Sequence, residues 1–241
     1  MNEYDCVCVY SGGLDSATML ADSVERYGAD RILALSFCYG QRHKKELNYA
    51  ANLCIEYGID WKEIDITSIN QLLPGSALTD DVDVPEGHYA EDTMKSTVVP
   101  NRNAIMANIA IGAVVAYGAV VLRLGVHAGD HPVYPDCRPE FIAHLEALAK
   151  VANEGFIKNT FYIDCPWLYV EKSDIAARAV DLGLEFDMTW SCYKGGEHHC
   201  GRCSTCVERL EAIDLAGYSS IDTTRYEDDQ YWKEVIANAN N

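Results

Sequence analysis

Positive charge is scarce in this chain: 19 Lys and Arg stand against 37 Asp and Glu over 241 residues, a net charge of −18. A protein that binds long nucleic acids needs a basic face to displace phosphate counterions, so large nucleic acids are not expected partners. A secretory leader is not expected either, since residues 1–10 carry acidic groups and no basic-then-apolar pattern. No apolar run is long and clean. The longest, Ala104–Gly125, is broken by Asn108, Tyr117 and Arg123 and by glycines at 112 and 118, and it reads as a buried helix followed by a strand, not a membrane span. Internal repeats and biased tracts are also absent. A cytoplasmic globular protein without membrane contact is expected.

Cysteine, by contrast, is plentiful: there are ten. Without a secretory pattern, clustered cysteines point to metal more than to disulfides. Cys6, Cys8, Cys38, Cys54 and Cys165 sit among apolar neighbours and read as small buried hydrophobes. Cys192, Cys200, Cys203 and Cys206 crowd together as C-x7-C-x2-C-x2-C. Four thiolates at this spacing can close a tetrahedral zinc site, with Gly201 relieving the tight knuckle. An iron–sulfur cluster is the alternative reading; so is a zinc site in which His198 or His199 replaces one cysteine. A closed four-thiolate site implies a structural ion, and the two histidines are then expected to be exposed loop residues.

The rest of the chain alternates strand and helix patterns. Asp5–Tyr10 reads as a buried strand. Ala17, Leu20, Ala21 and Val24 make a helical stripe stopped by Gly28. Ile32–Phe37 is a second strand. Leu47, Ala50, Ala51, Cys54 and Ile55 make a second stripe, stopped by Gly58, and Trp61–Ile66 is a third strand. This order predicts an α/β fold, a doubly wound parallel sheet that binds its ligand at the carboxyl ends of the strands. Residues 68–97, with Pro74, Gly75, Pro85 and Gly87 and with Asp80, Asp81, Asp83 and Glu86, read as a mobile loop or lid. A helix from about Asn101, a strand over Val120–Val126, a helix over Arg138–Val151, a strand over Phe161–Asp164 and helices over Ser173–Leu182 and Cys206–Ala216 complete the pattern. The tail after Ser219 is polar and acidic and is expected to be only partly ordered. Residues 1–185 are expected to form the nucleotide-binding unit, and 186–241 a small zinc-binding segment with a helix and tail.

Ser11-Gly12-Gly13-Leu14-Asp15-Ser16 lies where the first strand meets the first helix. Two glycines permit a tight turn and close ligand approach, and the helix start offers amide N–H groups and a partial positive charge to a phosphate. Ser11 and Ser16 add hydroxyls, and Asp15 stands where a triphosphate would need magnesium. An ordinary turn with Asp15 or Ser16 as N-cap is the plainer reading. No Lys-Ser/Thr pair follows, so the loop is not of Walker type, and the third glycine of a dinucleotide fingerprint is missing.

The hexapeptide resembles the SGGxDS loop of the ATP-pyrophosphatase (PP-loop) superfamily, whose members adenylate a carbonyl or carboxyl oxygen and release pyrophosphate. Four more stretches narrow the likeness: Phe37–His43, Val99–Asn103, Tyr134–Phe141 and Thr189–Tyr193. Taken in order with the cysteines over residues 5–215, they resemble the 7-cyano-7-deazaguanine synthase family.

That resemblance implies ATP with Mg2+ as co-substrate and one structural Zn2+ per chain. It further implies ammonia as nitrogen donor, 7-carboxy-7-deazaguanine as substrate, and a homodimer. Ser11–Ser16 with Gln41 and Arg42 would contact the nucleotide. Asp15, Lys172, Arg102 and His43 would act in catalysis: Asp15 through magnesium, Arg42, Arg102 and Lys172 through phosphate or carboxylate contacts, His43 as a proton carrier. Tyr134, Asp136, Arg138 and Trp190 would meet the deazapurine, Asp136 at its guanine-like edge. Each has a plainer alternative: surface charge for the Arg and Lys residues, a turn for Asp136, a helix start for His43, core filling for Tyr134 and Trp190, a helix-end ion pair for Arg138. An amide-forming ligase that stops after one adenylation, a tRNA-modifying PP-loop enzyme and a non-catalytic nucleotide-binding module are the competing functions.

Overall fold

The computed structural model describes residues 3–80, 82–89 and 92–239; Asp81, one of the acidic residues of the 68–97 segment, lies outside them. Five parallel strands form one sheet in the order β3-β2-β1-β4-β5. These are β1 (Cys6–Val9), β2 (Ile32–Cys38), β3 (Asp60–Asp65), β4 (Val121–Leu124) and β5 (Tyr162–Asp164). The helices between them are α1 (Leu14–Tyr27), α2 (Lys45–Tyr57), α3 (Arg102–Tyr117) and α4 (Pro139–Ala152). After β5 come α5 (Lys172–Asp181), α6 (Ser204–Leu215) and α7 (Tyr231–Ala239).

Strand residues alternate between two cores because successive side chains point to opposite faces. Val7, Leu33, Leu35 and Leu122 join α3 and α4 on one face. Cys6, Cys8, Ile32, Ala34 and Val121 join α1, α2 and α5 on the other. The doubly wound sheet expected from the pattern is therefore the one found. Its order reverses between β1 and β4, and a crevice opens at their carboxyl ends, as it must where flanking loops diverge to opposite faces.

The helical run Met94–Tyr117, which ends in α3, is long and apolar enough to cross a membrane by length and composition. It lies instead against the sheet, with Ala107, Ala110, Ile111 and Val114 buried. Of the apolar cysteines, Cys6, Cys8, Cys38 and Cys54 are buried and Cys165 is half-buried.

Three expectations are corrected. In α2 the buried set is Leu47, Ala50, Leu53 and Cys54, while Ile55 is 78% exposed; α2 covers only the β2–β3 edge of the sheet, so its apolar stripe is narrower than a core helix needs. The tail is not loose. Residues 225–227 pair with His199 through backbone hydrogen bonds, and α7 packs on α6 with Trp232 buried. The cause is Arg209, fully buried in α6, whose guanidinium donates to Thr189, Ser191, Thr224, Tyr226 and the Phe186 carbonyl. A buried guanidinium must find this many acceptors, and the tail supplies two of them. His199 is buried, not exposed (below).

A second buried arginine braces the sheet. Arg123 in β4 bonds Asp22 of α1 and Asp164 of β5, each at 2.8 Å, and Ser23 Oγ at 2.7 Å. Burial works against the charge on Asp22, but Arg178 and Arg123 outweigh it and hold its carboxyl below the ordinary range. Replacing Arg123→Met takes the arginine from Asp164 and leaves Asp22 with only the outer pair, Arg26 and Arg178. Removal of one partner of a buried pair costs about 3–5 kcal/mol, so urea unfolding of the variant is expected to show a loss of that size; a loss under 1 kcal/mol would refute the brace.

Candidate active site and metal centre

The turn after β1 is built by contacts from three directions. Gly12 takes φ 91°, and a Cβ there would lie 2.3 Å from the Glu46 carbonyl oxygen at the start of α2. On its other side the Trp190 N–H donates to the Gly12 carbonyl at 2.9 Å. Ser11 and Ser16 hydroxyls lie 3.0 Å apart, and Ser16 Oγ donates to the Gly13 carbonyl while accepting from the Ser11 N–H. Gly13 is the N-cap of α1 and no side chain caps that helix, so its first turn keeps amide donors for an anion. Leu14 is wholly buried and anchors the turn in the core.

A cavity of about 240 Å³ opens beside this turn, at the reversal between β1 and β4. Its walls bring together Ser11, Asp15, Ser16, Arg102, Tyr134 and Asp136 from the expected site residues. Tyr39, Glu46, Asp130 and Tyr193 join them. Arg102 begins α3, with its guanidinium 3.4 Å from Tyr39 Oη and 5.5 Å from that ring. Burial opposes its charge, but the surrounding tyrosines and Asp136 raise its pKa above the ordinary value. Asp136 accepts from the Asn103 N–H at 3.2 Å. Burial pushes the Glu46 carboxyl up to about 7, against the pull of Gln41 and Arg102. The Tyr134 hydroxyl lies 2.7 Å from Thr97 Oγ1; Ser76, Ala77, Met94 and Thr97 of the 68–97 segment are buried.

Lys172, the first residue of α5, places Nζ 3.0 Å from Asp15 and 2.7 Å from Glu208 of α6. Burial opposes both charges of the Asp15–Lys172 pair. The pair wins, lowering the Asp15 pKa and raising that of Lys172. Asp15 Oδ1 is buried with no hydrogen-bond partner. An orphaned carboxylate oxygen costs energy unless a ligand meets it, and beside a phosphate turn it fits an Mg2+ ion.

Other expected residues stand elsewhere. Gln41 is buried and spent on the Tyr39 N–H, the Phe37 carbonyl and Glu46. Arg42 is exposed and donates to the Val82 carbonyl. His43 packs against Gly195, where a Cβ would meet its Cγ at 1.8 Å. Arg138 is exposed and donates to the His131 carbonyl. Trp190 is buried between His199, Tyr49 and Lys45. None of these five lines the cavity.

The four cysteines converge. Cys192, Cys200, Cys203 and Cys206 are all buried, and their Sγ atoms lie within 4.8 Å of one another. Cys200 and Cys206 sulfurs are 3.9 Å apart, a span suited to two ligands of one ion with bonds of about 2.3 Å; cysteines on separate irons of a cluster would spread farther. Backbone N–H groups of Cys200, Arg202 and Cys203 donate to the sulfurs, which steadies thiolates. His199 does not replace a cysteine. Its Nε2 accepts from the Ser191 N–H at 3.2 Å, its ring lies 4.2 Å from Trp190, and burial lowers its pKa to about 3. The set is a closed structural zinc site. It is clamped by Glu86, which bonds Lys194 and Arg202, and by Asp228, whose carbonyl leaves room only for a glycine at Gly201.

A phosphate-ready turn at a sheet reversal, joined to a four-thiolate zinc site, defines a PP-loop nucleotide-binding enzyme. Residues 5–217 match the family model "Queuosine biosynthesis protein QueC", and the chain belongs to that family. Its curated relatives named 7-cyano-7-deazaguanine synthase include one from Chelativorans sp. strain BNC1, 48% identical over 95% of this chain and 96% of its own. That from Agrobacterium fabrum strain C58 is 51% identical over 94% of this chain and 93% of its own. Another, from Allorhizobium ampelinum strain S4, is 52% identical over 93% of each.

Elemental analysis of the purified protein is expected to give one zinc per chain and no iron. Cys203→Ser is expected to release the ion and lower Tm by about 5 °C or more, since a closed site contributes folding energy; an unchanged Tm in a zinc-free variant would refute the structural role.

Proposed function

We propose that the protein converts 7-carboxy-7-deazaguanine and ammonia to 7-cyano-7-deazaguanine, using ATP to activate first the carboxylate and then the amide. Family membership over nearly the whole chain supports the reaction. The observation that carries the residue roles is the uncapped first turn of α1 opening, beside the orphaned Asp15 oxygen, onto a cavity at the sheet reversal.

A carboxylate resists ammonia because oxide leaves poorly. Attack of a carboxylate oxygen on the α-phosphorus of ATP expels pyrophosphate and makes AMP the leaving group. Ammonia then displaces AMP to give the amide. Adenylation of the amide oxygen, followed by loss of two amide protons and AMP, gives the nitrile. Little covalent work falls to the protein, which positions partners and stabilises charge.

The amides and hydroxyls of Ser11–Ser16 hold phosphate oxygens. Asp15 would hold Mg2+, which supplies neutralisation of the triphosphate charge. Lys172, paired with Asp15, and Arg102, beside Tyr39 in the cavity wall, serve as fixed cations for phosphate and carboxylate. Asp136 accepts from the polar edge of the deazapurine, and Tyr134 offers its ring. Gln41, Arg42, His43, Arg138 and Trp190 support the loops around the cavity through the contacts described above. The same reading extends to a cytoplasmic homodimer, for which Leu148, Val151 and Phe156 supply exposed apolar side chains at the end of α4.

Incubation with 7-carboxy-7-deazaguanine, ATP and ammonium is expected to yield the nitrile with two AMP per product, read by mass spectrometry and nucleotide analysis. Accumulation of the amide with one AMP would identify an amide-forming ligase instead. Asp15→Ala is expected to lower kcat/KM at least about 100-fold, the scale of losing a transition-state charge contact; an unaltered rate would remove the turn from the mechanism.

A further inference from the structure

The second half of the reaction makes a demand that the first does not. In the first half the nitrogen source is itself a base, and a second ammonia can take the proton that the new C–N bond sheds. In the second half the adenylated amide must give up both of its N–H protons, and it brings no base with it. The protein has to supply a proton acceptor in the cavity.

Asp15, Glu46, Asp130 and Asp136 are carboxyls of the main cavity wall. Three of them are engaged. Asp15 pairs with Lys172 at 3.0 Å, Asp136 accepts from the Asn103 N–H at 3.2 Å, and Asp130 accepts from the His127 N–H at 3.3 Å within its own capping turn. Glu46 differs. Among the described residues it enters no ion pair, and its Oε1 accepts from Gln41 Nε2 at 2.9 Å. Gln41 cannot turn away, because its Oε1 accepts from the Tyr39 N–H at 2.9 Å and its Nε2 also donates to the Phe37 carbonyl at 3.1 Å. A buried amide fixed in this way shows Glu46 a donor and never its carbonyl, so it aims the carboxyl. The backbone fixes the position as well. The Glu46 carbonyl closes on Gly12, where a Cβ would lie at 2.3 Å, and the next residue, Leu47, is buried and lines the same cavity. The carboxyl is thus carried by the residue that clamps the phosphate turn.

We propose that the Glu46 carboxylate is the base that removes the amide protons in the nitrile-forming half of the reaction, with Gln41 as its positioning residue. The inference rests on the nitrile-forming reading above. Attack of the amide oxygen on ATP leaves the nitrogen as a protonated imidate bearing two hydrogens. Glu46 takes the first and passes it to solvent, which leaves a neutral imidate. It then takes the second: the N–H electron pair becomes the third C–N bond, the C–O bond breaks, and its electrons leave on AMP. Burial holds the Glu46 carboxyl up to about 7, the range in which one group can both accept a proton and return it. The other groups of the wall are poorer acceptors. Burial pushes Tyr39 up to about 12 and also raises Tyr134, Tyr193 and Cys137, while Arg102 keeps its charge. Burial raises Asp130 too, and substitution at Glu46 separates the two.

The test supplies the amide, 7-amido-7-deazaguanine, with ATP to Glu46→Gln, which keeps the side-chain size and an acceptor for Gln41. Nitrile formation from the amide is expected to fall about 100-fold or more, the scale of losing a general base. Amide formation from the carboxylate, and carboxylate-dependent ATP–pyrophosphate exchange, are expected to shift less than about threefold, so the variant stops at the amide. Glu46→Asp, which keeps a base one methylene shorter, is expected to make nitrile at least about tenfold faster than Glu46→Gln. In the unsubstituted protein kcat/KM for the amide is expected to fall as pH drops below about 7, where the base becomes protonated, and Glu46→Gln is expected to lack that step. Nitrile formation within about twofold of the unsubstituted protein in Glu46→Gln would overturn the proposal. So would a pH step that survives the substitution, which would assign the base to another group, or an equal loss in nitrile formation, amide formation and exchange, which would make Glu46 a structural part of the turn. If the unsubstituted protein made neither amide nor nitrile, the reaction itself would be wrong, a failure distinct from nitrile formation that ignores Glu46.

Discussion

Gly12 is held on both sides of its peptide. Its missing side chain lets the Glu46 carbonyl approach to where a Cβ would be at 2.3 Å, and its own carbonyl is taken by the Trp190 N–H. The first contact fixes the turn against the start of α2. The second ties it to the segment that enters the zinc site two residues later, where the Trp190 indole also donates to the Cys192 carbonyl. The phosphate turn, the start of α2 and the zinc knuckle are therefore fastened to one another. Zinc lies outside the cavity yet helps to set its shape. Preorganised donors gain their catalytic value from not having to reorganise, and this clamp is how a short glycine turn acquires that rigidity.

Electrostatics then divides the crevice. The protein is strongly acidic as a whole, yet around the first turn of α1 it gathers donors for an anion: Arg102, Lys172 and the free amides of that turn. On the far side of Asp15 the sign reverses. Among the described residues no arginine pairs with Asp130 or Glu208, and burial raises the Asp130 pKa. Lys172 stands behind Asp15, its charge kept by Asp15 and Glu208 together.

Much of this was legible in the sequence, for physical reasons. The order of strands and helices follows from hydrophobic period, and it is enough to specify a sheet whose order reverses beside the first turn. Close spacing of the four cysteines announced their convergence, because few backbone paths through so short a segment keep thiols apart. Arg102, Tyr134 and Asp136 were singled out from motifs after different elements and do share the cavity. Other features were not legible. His127, Asp130 and Glu208 reach Asp15 only through the β4 loop and α6, and nothing in their local sequence encodes that distance; the one available signal was that Gly125–Asp130 follows β4 at the reversal, as Ser11–Ser16 follows β1. Position near a strand end does not give side-chain direction, which is why Arg42, His43, Arg138 and Trp190 stand outside the cavity. His199 was misread as exposed and the tail as only partly ordered because the buried Arg209 near them gives no sign in the sequence of needing five acceptors.

The central claim is that nucleotide phosphates rest on the first turn of α1, at the reversal between β1 and β4. A crystal structure with a non-hydrolysable ATP analogue and Mg2+ tests it most directly. Phosphate oxygens within hydrogen-bond distance of the backbone amides of residues 12–16, with the metal on the free oxygen of Asp15, is the result this account requires. A nucleotide bound with its phosphates away from that turn, or on the opposite edge of the sheet, would contradict it.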